Sequence, residues 1–195
     1  MIRGFYAVVD SEVLCEAVLR GGAGVVQLRV KEASTRALID LGRRIRALTS
    51  GHVPFIVNDR ADVALLCEAD GVHLGQDDLP LSAARKLMGH RIIGISTHTL
   101  EQAREAARGG ADYIGFGPVF ATATKDRPDP VTGLLALRQV CAEMPIPVVA
   151  IGGITPANVA DVVACGAAAA VSIAAVNGAL DVAAAAASVA RAFAR

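Results

Sequence analysis

The chain has 195 residues, of which 53% are hydrophobic and 19% are charged, so it holds enough apolar material for one sizeable domain or two small ones. This composition excludes an intrinsically disordered chain. Nineteen basic residues balance nineteen acidic ones, which excludes a bulk electrostatic attraction to nucleic acid or to an anionic membrane. Any anion binding must therefore be local.

The sequence also argues against a membrane or an oxidising compartment. No segment approaches the roughly 20 apolar residues that a membrane span needs, and the first residues lack a signal-peptide pattern. The cysteines have no metal-ligand spacing and lie in or at the ends of predicted helices, at Cys15, Cys67, Cys141 and Cys165. We predict that they are reduced, apolar core residues of a soluble, cytoplasmic protein.

Short β-rich runs alternate with helical patterns along the chain. The predicted strands cover residues 5–9, 24–30, 53–57, 71–74, 91–96, 111–117, 147–151 and 169–174. The predicted helices cover residues 12–20, about 34–49, 60–68, 81–88, 100–108, 133–141, 156–165 and the alanine-rich end from 183 to 194. Ser34 or Thr35 is expected to cap the second helix, and Thr155 the seventh, with Pro156 at its first position.

Strict alternation of eight strands with eight helices predicts a parallel sheet. The number eight favours a closed barrel, so we predict a single α/β domain over residues 1–195, a compact (β/α)8 TIM barrel with short loops. A recurring phrase that ends a helix and enters a strand supports this reading, as GGAGVVQLR (21–29), EADGVHLGQ (68–76), GGADYIGFG (109–117) and CGAAAAVSI (165–173). An open doubly wound sheet is the alternative.

Polar residues follow the predicted strands, where the active sites of such barrels lie. Asn58 and Asp59 follow the third strand, and Asp77 and Asp78 follow the fourth. Because parallel strands end on the same side of a sheet, the two acidic clusters would face each other. Converging carboxylates are a hard-oxygen site of the kind that Mg²⁺ uses. We expect Asp77 to be exposed and His73 to be a satisfied interior histidine, whereas the role of His98 stays open.

The residue types at these strand ends are those expected of a site that binds a metal ion together with an anion. Arg29, Lys31 and Lys125 would neutralise a diphosphate beside the metal, with the side chains of Gln27, Arg29 and Lys31 alternating onto one face. The glycines at 152 and 153 and the loop after the eighth strand are placed to hold a monophosphate on backbone N–H groups. Two phosphate-bearing substrates in one mouth suggest group transfer with pyrophosphate leaving.

The same residues form six ordered phrases that resemble the thiamine-phosphate synthase family, a relative of thiazole tautomerase. They are QLRVK (27–31), NDR (58–60), DGVHLGQDD (70–78), GIS (94–96), GPVFATATK (117–125) and AIGGI (150–154). The resemblance implies condensation of 4-amino-2-methyl-5-(diphosphooxymethyl)pyrimidine with carboxythiazole phosphate. The products would be thiamine phosphate, pyrophosphate and CO2, with dissociative loss of pyrophosphate.

The resemblance also implies roles for single residues. It makes Asp59 and Asp78 the ligands of Mg²⁺, the one implied cofactor. It implies a diphosphate clamp of Arg29, Lys31, Asn58 and Lys125. It implies pyrimidine contacts from Gln27 and Ser96, thiazole contacts from Thr122 and Thr124, and a thiazole phosphate site at Gly153 and the backbone of Ala174 and Ala175. Catalytic roles fall to Arg29, Lys31, Ser96 and Lys125.

Some features and alternatives stay open. Ala175 stands where the family often has serine, and the chain begins almost at the first strand, which leaves a homo-oligomer open. One alternative is a thiazole tautomerase-like isomerase, although that relative tends to carry histidine at the place of Pro118 and to lose the Thr-x-Thr-Lys phrase. Others are a phosphate-sugar isomerase or epimerase barrel, which lacks a convincing general-base pair here, and a non-catalytic binder of thiamine intermediates.

Overall fold

Eight parallel strands close into a barrel in the computed structural model, which describes residues 1–122 and 130–194. The strands are β1 Gly4–Val9, β2 Val25–Leu28, β3 Phe55–Asn58, β4 Gly71–Leu74, β5 Ile92–Thr97, β6 Tyr113–Phe116, β7 Val148–Ala150 and β8 Ala169–Val171. Each strand pairs with the next, and β8 pairs back with β1. The predicted closed α/β barrel is therefore confirmed, and the open sheet is excluded.

Helices follow every strand and form the outer layer. In the described part of the chain they are α1 Glu12–Arg20, α2 Thr35–Thr49, α3 Ala61–Leu66, α4 Leu81–Met88, α5 Leu100–Arg108, α6 Gly133–Glu143, α7 Val159–Ala164, α8 Ala174–Asn177 and α9 Val182–Arg191. Of the two proposed caps of α2, Ser34 is the one used, because its hydroxyl accepts the N–H of Ala37 at 3.2 Å. Over these same residues, none of the helices is both long and apolar enough to cross a bilayer.

The predicted start of the seventh helix is wrong. The helix α7 begins at Val159, and the Thr155 hydroxyl instead accepts the N–H of Ala157 at 3.3 Å inside a preceding turn. Asn158 holds this turn, because its side chain accepts the N–H of Thr155 at 2.8 Å and donates to the carbonyl of Gly153 at 3.0 Å. A local side-chain clamp on the loop after β7 thus delays the helix.

The predicted end of the eighth strand is also wrong. Pairing with β1 stops at Val171, opposite Tyr6, and the short helix α8 begins at Ala174. The Asn177 side chain at the end of α8 donates to the carbonyl of Val8 at 3.0 Å, which ties this helix to β1. The chain therefore turns across the barrel mouth three residues earlier than its β-rich pattern indicates.

Side chains alternate between two hydrophobic clusters. The inward positions of the strands fill the barrel with Tyr6, Val8, Val25, Ile56, Tyr113, Val149, Ala169 and Val171. The outward positions pack against the helices, in a larger cluster that includes Phe5, Val26, Phe55, Val72 and Ile114. The cysteines are free thiols, three of them buried and Cys141 half-buried, as the sequence predicts.

Two aspartates join helix and strand where the recurring phrase enters a strand. Asp70 Oδ2 accepts bonds from the Arg46 side chain and from the N–H of Phe55, both at 2.8 Å. Asp112 repeats this arrangement two strand–helix units later, where it accepts from the Arg85 side chain at 2.6 Å and from the N–H of Ile93 at 2.8 Å. Each carboxylate therefore fixes a helix to the start of a strand.

Asp112→Ala is expected to lower the free energy of unfolding by about 1–3 kcal/mol, because it leaves the Ile93 N–H without its acceptor at a buried strand start. Chemical denaturation measures the change. Glu143→Ala is the matched control, since Glu143 pairs with Arg104 at the surface without accepting a strand N–H. Little change is expected in the control. Equal losses in both variants would show that the ion pair, and not the backbone bond, matters.

Candidate active site

A cavity of about 930 Å³ opens at the carboxyl ends of the strands. Its lining includes nine of the predicted site residues, which are Gln27, Arg29, Asn58, Asp59, Ser96, Thr122, Gly153, Ala174 and Ala175. Thr124 and Lys125, which were assigned to thiazole and diphosphate contacts, lie outside the described residues. We call this space the mouth cavity.

Strand β2 and the residue just after it supply two polar side chains to the lining of the mouth cavity. Gln27 is buried in the sheet opposite Val8 and Ile56, and Arg29 comes two positions later on the same face. The strand ends at Leu28, and Lys31 lies beyond it on an exposed segment that does not line the mouth cavity. The alternation of Gln27, Arg29 and Lys31 that the sequence suggests is therefore shown for the first two.

The ends of β3 and β4 hold two carboxyl groups near each other. Asp59 has a left-handed backbone with φ of 62°, and its N–H donates to the carbonyl of His73 at 2.8 Å. The N–H of the next residue, Arg60, returns to the Asn58 carbonyl at 2.7 Å, which makes a tight turn. Asp78 Oδ2 accepts the N–H of Gly75 at 2.7 Å. Asp59 and Gly75 line the mouth cavity, whereas Asp78 is not among its lining residues.

The carboxyl groups of Asp59 and Asp78 repel each other, and a bound cation would relieve this repulsion. Desolvation and the adjacent Asp78 carboxyl raise the pKa of Asp59 to about 6, against the opposing effects of Arg29 and Asn58. Residues 1–122 and 130–194 contain no cluster of three or more potential metal ligands among His, Cys, Asp and Glu. Two carboxylates nevertheless fit Mg²⁺, which commonly completes its coordination with water and substrate phosphate. Asp77 is exposed, as expected.

Five polar side chains form a hydrogen-bonded chain across the floor of the mouth cavity, which we call the floor relay. Gln27 Nε2 donates to the hydroxyl of Tyr6 at 2.9 Å, and this hydroxyl lies 2.7 Å from that of Tyr113. His73 Nδ1 lies 2.9 Å from the Tyr113 hydroxyl, and His73 Nε2 lies 2.9 Å from Ser96 Oγ. The two predicted pyrimidine contacts, Gln27 and Ser96, are therefore the two ends of one network.

Burial keeps the centre of the floor relay uncharged. Desolvation lowers the pKa of His73 to about 4, a shift that the charge of Asp78 only partly opposes. Desolvation also raises the pKa of Tyr6 and Tyr113 above the ordinary tyrosine value. His73 is the satisfied interior histidine that the sequence suggests. The two tyrosines were not identified as site residues from the sequence. The one feature that could have indicated them is that each lies on the inward face of its strand.

The opposite wall is built from glycine and backbone. Gly152 and Gly153 both have positive φ, at 97° and 64°. A Cβ at Gly152 would lie 2.4 Å from the Cβ of Pro118, and one at Gly153 would lie 2.4 Å from the carbonyl of Ala121. Only glycine lets these loops pack this closely. Ala174 and Ala175 begin α8, so their N–H groups have no intrahelical acceptor and border the mouth cavity.

His98 and Thr122 also line the mouth cavity. His98 Nδ1 donates to the carbonyl of Gly117 at 2.6 Å, which fixes the ring at the end of β5. Thr122 lines the mouth cavity at the end of the described part of the loop after β6. The cavity thus has an acidic and cationic side, a polar floor and a backbone-rich side.

Comparisons with known proteins agree on one family. The family model described as thiamine monophosphate synthase matches residues 5–176. A thiamine-phosphate synthase of Chloroflexus aurantiacus is 52% identical over 172 residues, covering 88% of this chain and 80% of the relative. One from Anaeromyxobacter dehalogenans is 49% identical over 196 residues, covering 98% and 88%.

Solved structures extend this agreement to three dimensions. Thiamine phosphate pyrophosphorylase from Pyrococcus furiosus has a TM-score of 0.91 and 40% identity, covering 97% of this chain and 95% of that one. A 3-hexulose-6-phosphate synthase, at 17% identity and a TM-score of 0.74, shares the fold alone. On the family match, the close relatives and the shared barrel, this chain belongs to the thiamine monophosphate synthase family.

Proposed function

We propose that this chain is a thiamine-phosphate synthase, a transferase that joins the pyrimidine diphosphate and carboxythiazole phosphate into thiamine phosphate. The observation that supports the proposal is that one cavity has two unlike sides, and we propose that each of them holds an anion. Asp59, Arg29 and Asn58 line one side, with Asp78 beside Asp59, and Gly153, Ala174 and Ala175 line the other. A diphosphate and a monophosphate can therefore be held together.

The diphosphate belongs on the acidic and cationic side. Arg29 and Asn58 border the cavity beside Asp59, where their side chains can hold the oxygens of a diphosphate. Asp59 and Asp78 would hold Mg²⁺, which, when bound, supplies positive charge to the leaving pyrophosphate. Lys31 and Lys125 remain predicted members of this clamp on the strength of the family phrases.

The two ring systems belong between the walls. Gln27 and Ser96 at the ends of the floor relay would contact the pyrimidine. Thr122, together with Thr124, is assigned to the thiazole, whose phosphate would accept bonds from the N–H groups of Gly153, Ala174 and Ala175.

The proposed reaction needs no protein nucleophile. The C–O bond between the methylene and the diphosphate breaks, and its electron pair leaves with pyrophosphate. The thiazole nitrogen then donates its lone pair to the methylene. The thiazole carboxylate departs as CO2, and the electron pair that it leaves on the ring carbon takes up a proton from solvent. Arg29, Lys31 and Lys125 would stabilise the charge that develops on the leaving group, and Ser96 would orient the pyrimidine.

One assay tests this proposal. The protein is incubated with both phosphorylated substrates and Mg²⁺, and thiamine phosphate and pyrophosphate are measured. Stoichiometric formation of both supports the synthase. Rearrangement of the thiazole phosphate alone would favour the tautomerase-like isomerase, against which Pro118 at the cavity wall argues. Binding of both substrates without turnover would indicate a non-catalytic binder.

Ala175→Ser is expected to lower KM for carboxythiazole phosphate by about threefold, because it adds a hydroxyl donor at a half-buried position of the phosphate wall. Steady-state kinetics with each substrate varied in turn measures this. KM for the pyrimidine diphosphate should not change. A fall in the pyrimidine KM instead would place the monophosphate elsewhere.

We further propose that the partners of the chain are these small phosphorylated molecules, not nucleic acid or membrane. A cytoplasmic location is supported by the free cysteines, which suit a reducing compartment. A homo-oligomer stays a proposal that size-exclusion chromatography with light scattering can test.

A further inference from the structure

We propose that His73, Tyr113 and Tyr6 are positioning residues whose hydrogen bonds all run in one direction, so that the Ser96 hydroxyl donates to the pyrimidine ring. The three side chains lie under the mouth cavity and join its two pyrimidine contacts. This inference rests on the proposed function and deepens it, because it specifies which hydrogen-bonding pattern the site selects in a substrate.

The direction is set at the Gln27 end. Gln27 Nε2 is a donor only, so the Tyr6 hydroxyl accepts from it and has its own proton left to give. The neighbour at 2.7 Å is the Tyr113 hydroxyl, which therefore accepts from Tyr6. Tyr113 in turn gives its proton to His73 Nδ1, at 2.9 Å. Reversing the order would point a buried Tyr6 proton at the N–H of Gln27.

The same order fixes the tautomer of His73. A neutral imidazole has one N–H, and Nδ1 is occupied as an acceptor, so the proton is on Nε2. Nε2–H donates to Ser96 Oγ at 2.9 Å. Ser96 is half-buried in the cavity wall, and its own proton is left to point at a bound ligand. A serine without this partner could equally accept from the ligand.

The packing around the floor relay is shaped for its two rings. A Cβ on Gly94 would lie 2.1 Å from Cζ of Tyr113, and one on Gly115 would lie 3.2 Å from Cε1 of His73. In the strand pairing, Gly94 lies opposite His73 and Gly115 lies opposite Ser96, at the points where these rings pass over the neighbouring strands. The ring of Tyr113 therefore packs directly over Gly94, and the ring of His73 packs close to Gly115.

The consequence is a defined substrate pattern. Gln27 offers its amide oxygen as an acceptor at one end, and Ser96 offers a donor at the other. An aminopyrimidine provides the complement, with an amino group that donates and ring nitrogens that accept. The 4-oxo analogue has a carbonyl in place of the amino group and a proton on a ring nitrogen. It would leave the polar groups of the site unpaired and be rejected.

The tautomer is tested on the ligand-free protein by NMR of ¹⁵N-histidine-labelled samples at neutral pH. Four histidines are present, and His73→Gln identifies the signal of interest. We expect His73 to be protonated on Nε2 and unprotonated on Nδ1. In Tyr113→Phe the donor to Nδ1 is gone, and a mixture of tautomers is expected. An Nδ1-protonated ring in the wild type overturns the proposal.

The consequence for binding is tested with Tyr113→Phe in the synthase assay. KM for the pyrimidine diphosphate should rise about five- to tenfold, and KM for the thiazole phosphate should stay within about twofold. Thr49→Val is the control, because it removes a buried hydroxyl that donates to Ile45 within α2, away from the cavity. Neither KM should change in this control.

The outcomes separate the two proposals. Equal rises in both KM values for Tyr113→Phe would indicate a purely structural role and overturn the assignment. If the wild type makes no thiamine phosphate, the proposed function fails, while the tautomer result still decides whether the floor relay has the stated direction.

Discussion

Asp59→Asn is expected to reduce Mg²⁺-dependent formation of thiamine phosphate by about a thousandfold, because the variant loses a proposed ligand of the Mg²⁺ that would stabilise the negative charge on the leaving pyrophosphate. Yet the metal-free variant should unfold less readily than the wild type. Asparagine tolerates the left-handed backbone at this position, where φ is 62°, and it removes the repulsion from Asp78. Because Asp59 is exposed, the gain should be only about 1 kcal/mol.

The gain should depend on pH in a direction that follows from the pKa. Asp59 has a pKa of about 6 in the folded protein, against an ordinary value of 3.8. Between these values the folded state binds more protons than the unfolded one, so the wild type loses stability as pH rises from about 4 to 6. Asp59→Asn lacks this loss. Urea denaturation in EDTA between pH 4 and 7 measures it.

Asp77→Asn is the matched control, because Asp77 is exposed and adjacent to Asp78 but outside the proposed ligand pair. This variant should keep both the activity and the pH dependence of the wild type. Full activity in Asp59→Asn would contradict the metal assignment. A metal-free Asp59→Asn protein no more stable than the wild type at pH 7 would contradict the description of the two carboxyl groups as mutually repelling.

The barrel was predictable because its signals are local. Each strand has an apolar run, each helix has its own stripe, and Leu38 and Ile45 are buried in α2 at the spacing that a helix requires. The strand ends could also be found in the sequence, since polar clusters that contain the acids at 59 and 78 follow apolar runs. The parallel topology then placed them at one mouth without any tertiary information.

The wrong boundaries come from side-chain hydrogen bonds to the backbone, one of them local and the other tertiary. The Asn158 clamp delays α7, and the bond from Asn177 to β1 stabilises α8 where the residues alone favour a strand. Neither contact leaves a trace in local periodicity. The floor relay was missed for a related reason. Tyr6 and Tyr113 are 107 residues apart, and their meeting depends on how the strands are staggered around the barrel.

Gly94→Ala is expected to destabilise the protein by about 3 kcal/mol and to abolish activity, because overpacking a filled core costs energy of this order. The added Cβ would lie 2.1 Å from Cζ and 2.4 Å from the hydroxyl of Tyr113. Gly94 does not have a positive φ, so the loss would arise from this collision and not from the backbone. Thermal and urea denaturation measure it, and thiamine phosphate formation reports on the site.

Two further variants distinguish a steric clash with the Tyr113 ring from a general cost of replacing glycine by alanine in this protein. Gly51→Ala adds a methyl group with nothing within 4 Å, so it should cost only about 1 kcal/mol for its φ of 75°. Gly94→Ala combined with Tyr113→Leu removes the ring that the methyl group meets. Its destabilisation should be clearly smaller than the sum of the two single losses, because neighbouring changes couple. Additive losses would mean that Gly94 is required for some reason other than the Tyr113 ring.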